Sequence, residues 1–406
     1  MNLTRIVFAA IAVCHTPDVA AQTRAAPSVT LGITVLLRDS SHLIRGKRVG
    51  LITNHTGRDE QGRTNIDLLF KAQGAKLTAL FAPEHGIRGT AEGGALISSS
   101  IDEATGVPIH SLYGATRTPT ARMLADVDVL VYDIQDVGAR MYTYVWTMTL
   151  AAEAAKKAGK MFIVTDRPNP IRADIIEGPL IEKRYRSFTG LHNVPMRYGL
   201  TPAELATWLA ATGEIDADVR VIPMQGYRSD MWWSDTGLSW VRPSPNIRDT
   251  DAALLYPGIS FFEATNISEG RGTTEPFRLV GARWMTDAAA IARAMNGKKL
   301  SGVRFEAVTR RITSGQKFGG ATIPMVRIVI TDRNAVRSSE IGAHLLREIY
   351  SRHPKAVRFQ ARGLEELSGS RDLRNAVQGQ GVDSLLVQWR ETAKRFERDA
   401  AKFRLY

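Results

Sequence analysis

From residue 47 onward the chain alternates between short apolar, β-branched runs and amphipathic stretches. The runs Lys47–Thr53, Leu77–Ala82, Val127–Ile134 and Met161–Thr165 are apolar on both faces of a pleated strand, which predicts strands covered on both sides. Between them, Ile66–Lys71 is amphipathic, Thr143–Lys157 has helical spacing, and Thr201–Pro202 opens a further helix. Strand, helix, strand in this rhythm implies an α/β fold built on a parallel, doubly wound sheet. Ligands of such sheets sit beyond the carboxyl ends of the strands, so the polar residues that follow each run are the ones to read for chemistry.

The rhythm stops at about residue 226. Residues 226–281 contain Trp232, Trp233, Trp240, Pro243, Pro245 and Pro257 without periodicity, and are expected to form an ordered loop over a cleft, since long aperiodic stretches rich in aromatics are seldom disordered. Beyond it the pattern is α+β, with strands near Val303–Ala307 and Val326–Thr331 and helices near Ser339–Tyr350 and Gln388–Lys402. The expected division is a first domain over 28–280 and a smaller α+β domain over 281–406 that walls one side of the cleft.

Length agrees with two domains: the chain has 406 residues, and single cores seldom grow past about 250–300. Charge adds an asymmetry. The net +12 arises wholly in residues 282–406, which hold 24 basic and 12 acidic side chains, whereas residues 1–281 balance. That excess is read either as solubilising surface or as an attraction for an anionic ligand. The first residues, with Arg5, the apolar stretch Ile6–Cys14 and small residues before Gln22, read as a signal peptide over 1–21. They predict a periplasmic or secreted protein. The apolar stretch is too short to serve as a transmembrane anchor, which takes about 20 residues. Cys14 is the sole cysteine, in a poor version of a lipoprotein box, and its removal with the signal would exclude disulfides and thiol chemistry.

Several chemistries are absent from the sequence. There is no G-x-G-x-x-G after a strand, no phosphate-binding G-x-x-x-x-G-K-[ST], no H-E-x-x-H and no G-x-S-x-G. No cofactor, metal or nucleic acid is therefore expected. What remains is carboxylate, Arg, Asn and Tyr, the equipment of carbohydrate-cleaving sites. Glu84 follows a strand and Pro83 in a Gly-flanked turn; shielded there, it protonates a leaving oxygen, or else it only caps the turn or pairs with Arg88. His85 is a substrate contact or a hydrogen-bond partner. Asp133, Asp136 and Arg140 form a cluster that holds sugar hydroxyls, a metal, or an internal ion pair, the last being the commonest use of such residues. Asp166 and Asn169 invite the same choice. In the long loop, Asn246, Asn266 and Arg271 are candidate contacts, and Glu263 or Glu269 offers a second carboxylate.

Read together, GLITNHTG at 50–57, APEHGIRG at 82–89, SLYG at 111–114, DIQDVGARMYTY at 133–144, DRPNP at 166–170, EGP at 177–179, FEATNISEGRGT at 262–273 and PF at 276–277 resemble the NamZ-type exo-β-N-acetylmuramidase family of bacterial glycoside hydrolases. The resemblance implies a Rossmann-like first domain, a smaller α+β C-terminal domain, and release of terminal N-acetylmuramic acid from the non-reducing ends of peptidoglycan fragments. Glu84 matches the family glutamate expected in catalysis. His85 and Glu263 join it as catalytic candidates, while Asn54, Arg88, Asp133, Asp136, Arg140, Tyr142, Asp166, Asn169, Asn246, Asn266 and Arg271 fall in matching motifs as substrate-binding candidates. Arg140 or Arg271 is expected to meet the lactyl carboxylate. Other readings are a non-catalytic muropeptide-binding protein and a muropeptide esterase or amidase. In the enzyme reading, the basic C-terminal domain attracts anionic substrate.

Overall fold

Strands β1 (Arg48–Thr53), β2 (Lys76–Ala82), β3 (Ser100–Ile101), β4 (Pro108–Ser111), β5 (Val129–Asp133), β6 (Met161–Thr165) and β7 (Val219–Ile222) form a seven-stranded sheet in the order β3-β4-β2-β1-β5-β6-β7. All pairings are parallel except that of the edge strand β3 with β4. The chain builds outward from β1 to β4, then returns to lay β5, β6 and β7 on the other side. This is the Rossmann-like order, and its switch point lies between β1 and β5. The computed structural model describes residues 28–89, 91, 92 and 94–406; the signal-peptide reading and Cys14 lie outside the described residues.

Both sheet faces are covered, which is why the strand runs lack polar alternation. Val49, Leu51, Val129, Val131 and Ile163 point into one apolar layer with Leu36 of helix α1 (Gly32–Asp39) and Leu69 of α2 (Asn65–Phe70). Ile52, Leu130, Tyr132, Phe162 and Val164 point into the other with Val145 and Met148 of α3 (Tyr144–Lys157) and Leu205 and Leu209 of α4 (Pro202–Ala211). Helix α4 begins where the sequence places it. Thr201 accepts from the Glu204 amide, the Glu204 carboxylate returns to the Thr201 amide, and Pro202 fills the first turn where no amide is needed.

The 226–281 stretch departs from expectation. It contains helix α5 (Thr250–Ile259) and strand β8 (Leu279–Gly281). Helix α5 carries no amphipathic signal because Ala252–Ile259 are all buried, and Pro257 within it reads as a breaker. After it come α6 (Ala288–Gly297), β9 (Val303–Arg311), β10 (Thr322–Ile330), α7 (Ser338–Arg352), α8 (Ala361–Ser368), α9 (Asp372–Gln378) and α10 (Asp383–Ala400). Strands β8, β10 and β9 form an antiparallel sheet. Helix α5 crosses α7 so closely that a Cβ on Gly258 would lie 1.7 Å from the Ser338 carbonyl oxygen. The stretch 250–280, assigned by sequence to the first domain, is thus built into the second. The chain end returns to the first sheet: the Tyr406 hydroxyl donates to Asp166 at 2.8 Å and the Leu405 amide to Glu204 at 2.8 Å. Among the described residues no helix is long and apolar enough to cross a membrane.

Candidate active site

The switch point, where a doubly wound sheet ordinarily receives its ligand, is largely filled by the protein's own side chains and keeps only a cavity of about 140 Å³ beside Thr56, Gln135 and Arg167. Asp133 at the end of β5 is fully buried and bonded to the Arg167 guanidinium. Asn65 donates to the same carboxylate at 3.2 Å, and Arg167 also donates to the Arg58 carbonyl. Asn54 turns back on its own loop, its Oδ1 accepting from the Thr56 amide at 2.9 Å and hydroxyl at 2.6 Å. Asp136 accepts from the Gly138 amide and the Tyr198 hydroxyl, and burial pushes its carboxyl up to about 7. Asp166 likewise rises to about 7, through burial first and the nearby Glu204 second, while Thr201, the Ala203 amide and Tyr406 donate to it. Asn169 braces neighbouring loops through the Leu200 carbonyl and the Ile171 amide.

These residues were candidates for substrate contact or for internal pairing, and in the structure their polar groups bond within the protein. Arg140 is the sharpest correction. It is fully buried, donates to the carbonyls of Pro179, Val194 and Leu367 at 2.7–2.9 Å, and has its pKa lowered to about 9 by burial. It joins the first domain to α8 and is not among the residues that line the cleft described below. Asn266 is similarly occupied, bonding the Ala356 carbonyl and the Arg358 amide. Arg88 points away from Glu84 toward Asp102 at 3.5 Å, so the expected alternative, a Glu84–Arg88 pair, does not form. Among the described residues no cluster of His, Cys, Asp or Glu is placed to hold a metal ion.

The open space lies to one side, beyond β2 and the start of α3. A cleft of about 770 Å³ is lined by Glu84, His85, Tyr113, Arg117, Tyr142 and Thr143 from the first sheet's loops and by Glu263, Glu269, Arg271, Phe277 and Lys317 from the far wall. Asn246 is on the loop that lends Ser244 and Ile247 to this lining. Glu84 is part-exposed. Its carboxylate accepts from the Gly94 amide at 2.9 Å and from the Thr143 hydroxyl at 2.5 Å. Thr143 stands at the N-cap of α3 without capping it, which frees the hydroxyl for Glu84. A hydroxyl both donates and accepts, so Thr143 can hold Glu84 in either protonation state. Tyr113 borders the same carboxyl; desolvation, helped by the Glu84 charge, pushes its phenol up to about 12.

His85 adopts left-handed backbone, φ 67°, a conformation uncommon outside glycine and concentrated at functional turns. Its Nδ1 meets the Ala91 carbonyl at 2.5 Å. Nδ1 therefore carries a proton, which in the neutral ring leaves Nε2 as an acceptor. Across the cleft, Arg271 bridges two carboxylates, Glu263 through Nη2 and Glu269 through Nε, each at 3.0 Å, with its guanidinium 5.1 Å from the Phe277 ring centre. Burial raises the Glu263 pKa while Arg271 opposes the rise. Lys317, from the β9–β10 connection, donates to Glu269 at 2.9 Å and to the carbonyls of Phe262, Glu263 and Ile267. Arg271 is thus charge-balanced by two carboxylates of the protein. Arg117 is not: it sits 4.3 Å from the Phe188 ring centre, with no carboxylate partner among the described residues.

Comparison with known proteins fixes the family. A profile described as exo-beta-N-acetylmuramidase NamZ, N-terminal, matches residues 49–251, and its C-terminal counterpart matches 254–406. The chain is 40% identical over 392 residues to the peptidoglycan beta-N-acetylmuramidase NamZ of Bacillus subtilis, covering 96% of this chain and 94% of that one. The chain belongs to the NamZ exo-β-N-acetylmuramidase family. Two crystal structures of DUF1343 family proteins from Bacteroides fragilis share the fold. One has TM-score 0.87 at 35% identity and the other 0.74 at 28%, each covering 93% of this chain and 99% of its own.

In this NamZ-family cleft, sequence reading brought together Glu84, His85, Tyr142, Glu263 and Arg271, and passed over Thr143, Tyr113, Arg117 and Lys317. Thr143 and Tyr113 stood inside recognised motifs, DIQDVGARMYTY and SLYG. Arg117 and Lys317 stood in none, and their signal is three-dimensional: a ring stack for one, the underside of a loop roughly fifty residues earlier for the other.

Proposed function

We propose that the cleft receives a terminal N-acetylmuramic acid of a peptidoglycan fragment and that Glu84 protonates the departing glycosidic oxygen. Hydrolysis of such a bond needs a carboxyl group that can give a proton to the leaving oxygen. The observation that carries the reading is the hold on Glu84: an amide fixes one oxygen, a hydroxyl able to donate or accept meets the other, and one side stays open to the cleft. His85 Nε2 offers an acceptor for a sugar hydroxyl. Glu263, the part-exposed partner of Arg271, is the second carboxylate of the site, while buried Glu269 anchors it through Lys317.

The lactyl carboxylate distinguishes this sugar from N-acetylglucosamine and calls for a free cation. Arg271 is engaged and Arg140 is buried, which assigns the contact to Arg117. The same reading makes residues 1–21 an export signal, delivering the enzyme to the periplasm or the medium where its polymer lies.

The experiment is hydrolysis of a chromogenic β-N-acetylmuraminide beside the matching N-acetylglucosaminide and an ester. Release from the first alone is expected. No release would return the chain to the binding-protein or esterase readings, and equal release from both sugars would sink the Arg117 contact.

A further inference from the structure

A second space opens beside the cleft and differs from it in charge. This shallow recess of about 760 Å³ is lined by His55, Arg58, Arg88, Trp240 and Arg242, with no carboxylate among its described lining residues. The cleft wall, in contrast, sets Glu84, Glu92, Glu263, Glu269 and Glu366 against Arg117, Arg271 and Lys317. Ser244 lines both spaces. A single turn divides them, with Glu84 and His85 on the cleft side and Arg88 and Gly89 on the recess side.

Main-chain contacts hold this recess in shape. Gly89 has φ 69°, and a Cβ there would fall 1.8 Å from His55 Cε1, so the imidazole packs directly beneath the Glu84 turn. His55 Nε2 bonds the Arg242 carbonyl at 2.6 Å and ties the 242 loop to that floor. Burial lowers the His55 pKa, which leaves the positive charge to the arginines. Arg58 is held by the carbonyls of His55 and Gly62 at 3.1 and 2.8 Å, contacts that fix its position without cancelling its charge. Arg88 is exposed and reaches Asp102 only at 3.5 Å. Arg242 is exposed with no ion pair among the described residues. Trp240 adds a half-buried ring, edge-on to Trp233 at 5.2 Å, of the kind that sugar faces stack on.

An exo-acting glycosidase seats only the end of its substrate, and the remaining fragment must leave the cleft along the surface. In a peptidoglycan fragment that remainder bears further carboxylates. We infer that the recess binds carboxylates carried beyond the cleaved bond, lactyl or peptide, through Arg58, Arg88 and Arg242, and so selects longer, charged fragments. This rests on the glycosidase reading of the cleft. It also relocates the electrostatic attraction: the cations that the C-terminal domain brings to the cleft, Arg271 and Lys317, are already paired, Arg271 with Glu263 and Glu269 and Lys317 with Glu269.

The test compares kcat/KM of wild type and Arg88→Ala/Arg242→Ala on a chromogenic muraminide, an unsubstituted tetrasaccharide and a peptide-bearing tetrasaccharide. Both side chains are exposed, so folding is preserved and is checked by thermal melting. The variant is expected to lose about tenfold more on the charged tetrasaccharides than on the chromogenic sugar, a loss of the size that removing a charge contact produces, with the excess shrinking in higher salt. Selective loss on both tetrasaccharides identifies the lactyl carboxylate, and loss on the peptide-bearing one alone identifies the peptide. Equal loss on all three substrates, or none, overturns the proposal. Titration of the tetrasaccharides into Glu84→Gln protein, with and without the two arginine changes, reads recess binding even if hydrolysis of the muraminide fails, which separates the two readings.

Discussion

The switch point between β1 and β5 and the cleft beside β2 are both made of polar residues at strand ends, yet they have opposite fates. At the switch point every charge meets an internal partner: Asp133 meets Arg167, Asp136 meets Tyr198, and Asp166 meets Thr201 and Tyr406. In the cleft, Glu84 is held on one side and open on the other, and Arg117 has a ring beneath it but no ion pair among the described residues. Residue type does not separate the two regions. What separates them is whether the fold delivers a partner to each group, which makes one region a fastening and the other a site.

Two substitutions break this comparison in opposite directions. Glu84→Gln keeps the shape and an acceptor oxygen but removes the transferable proton, and is expected to lower kcat by about 10²–10⁴-fold, the usual worth of a general acid, while the melting temperature stays near that of wild type. Retained activity would remove Glu84 from the mechanism. Asp133→Ala does the reverse. It leaves Arg167 charged and buried without its carboxylate, and is expected to cost about 3–5 kcal/mol of stability in urea unfolding, with turnover per folded molecule little changed below the melting range. A variant as stable as wild type but inactive would place Asp133 in the site after all.

The sequence made the fold legible where burial is simple. Strands β1, β2, β5 and β6 are apolar on both faces, and α4 announces itself through Thr201, Pro202 and Glu204. Helix α5 was hidden because a helix buried all round has no polar face to create a period. The candidate site was legible through Glu84, whose turn is written locally in Pro83, Gly86 and Gly89. It was least legible among the strand-end charges, where internal pairing was one open reading but the partners were not written. Asp136 and Arg140 stand four apart, which places charges together on a helix, but residues 134–143 are irregular. Arg140 instead reaches α8, and Asp136 finds Tyr198. Partners that distant leave no local trace.

A smaller effect sharpens the same contrast through pH. Burial lifts Asp136 and Asp166 to about 7, whereas an unfolded Asp titrates near about 3.9. Between those values the folded protein holds protons that the unfolded chain has released, so stability falls as pH rises, by up to about 1.4 kcal/mol per pH unit for each group. The stabilising share is complete below about pH 4 and is lost as pH climbs through about 7. Asp136→Asn cannot titrate. Its oxygen still accepts from Gly138 and Tyr198, while its amide faces the place where Asp136 Oδ1 has no hydrogen-bond partner, a constant penalty that shifts the whole curve without tilting it. The difference in unfolding free energy between wild type and Asp136→Asn, measured from pH 4.5 to 7.5, should therefore move steadily in the variant's favour as pH rises and level off near neutrality. A difference that is flat with pH would mean that Asp136 is ionised throughout, its charge stabilised by Tyr198 and the Gly138 amide despite its burial.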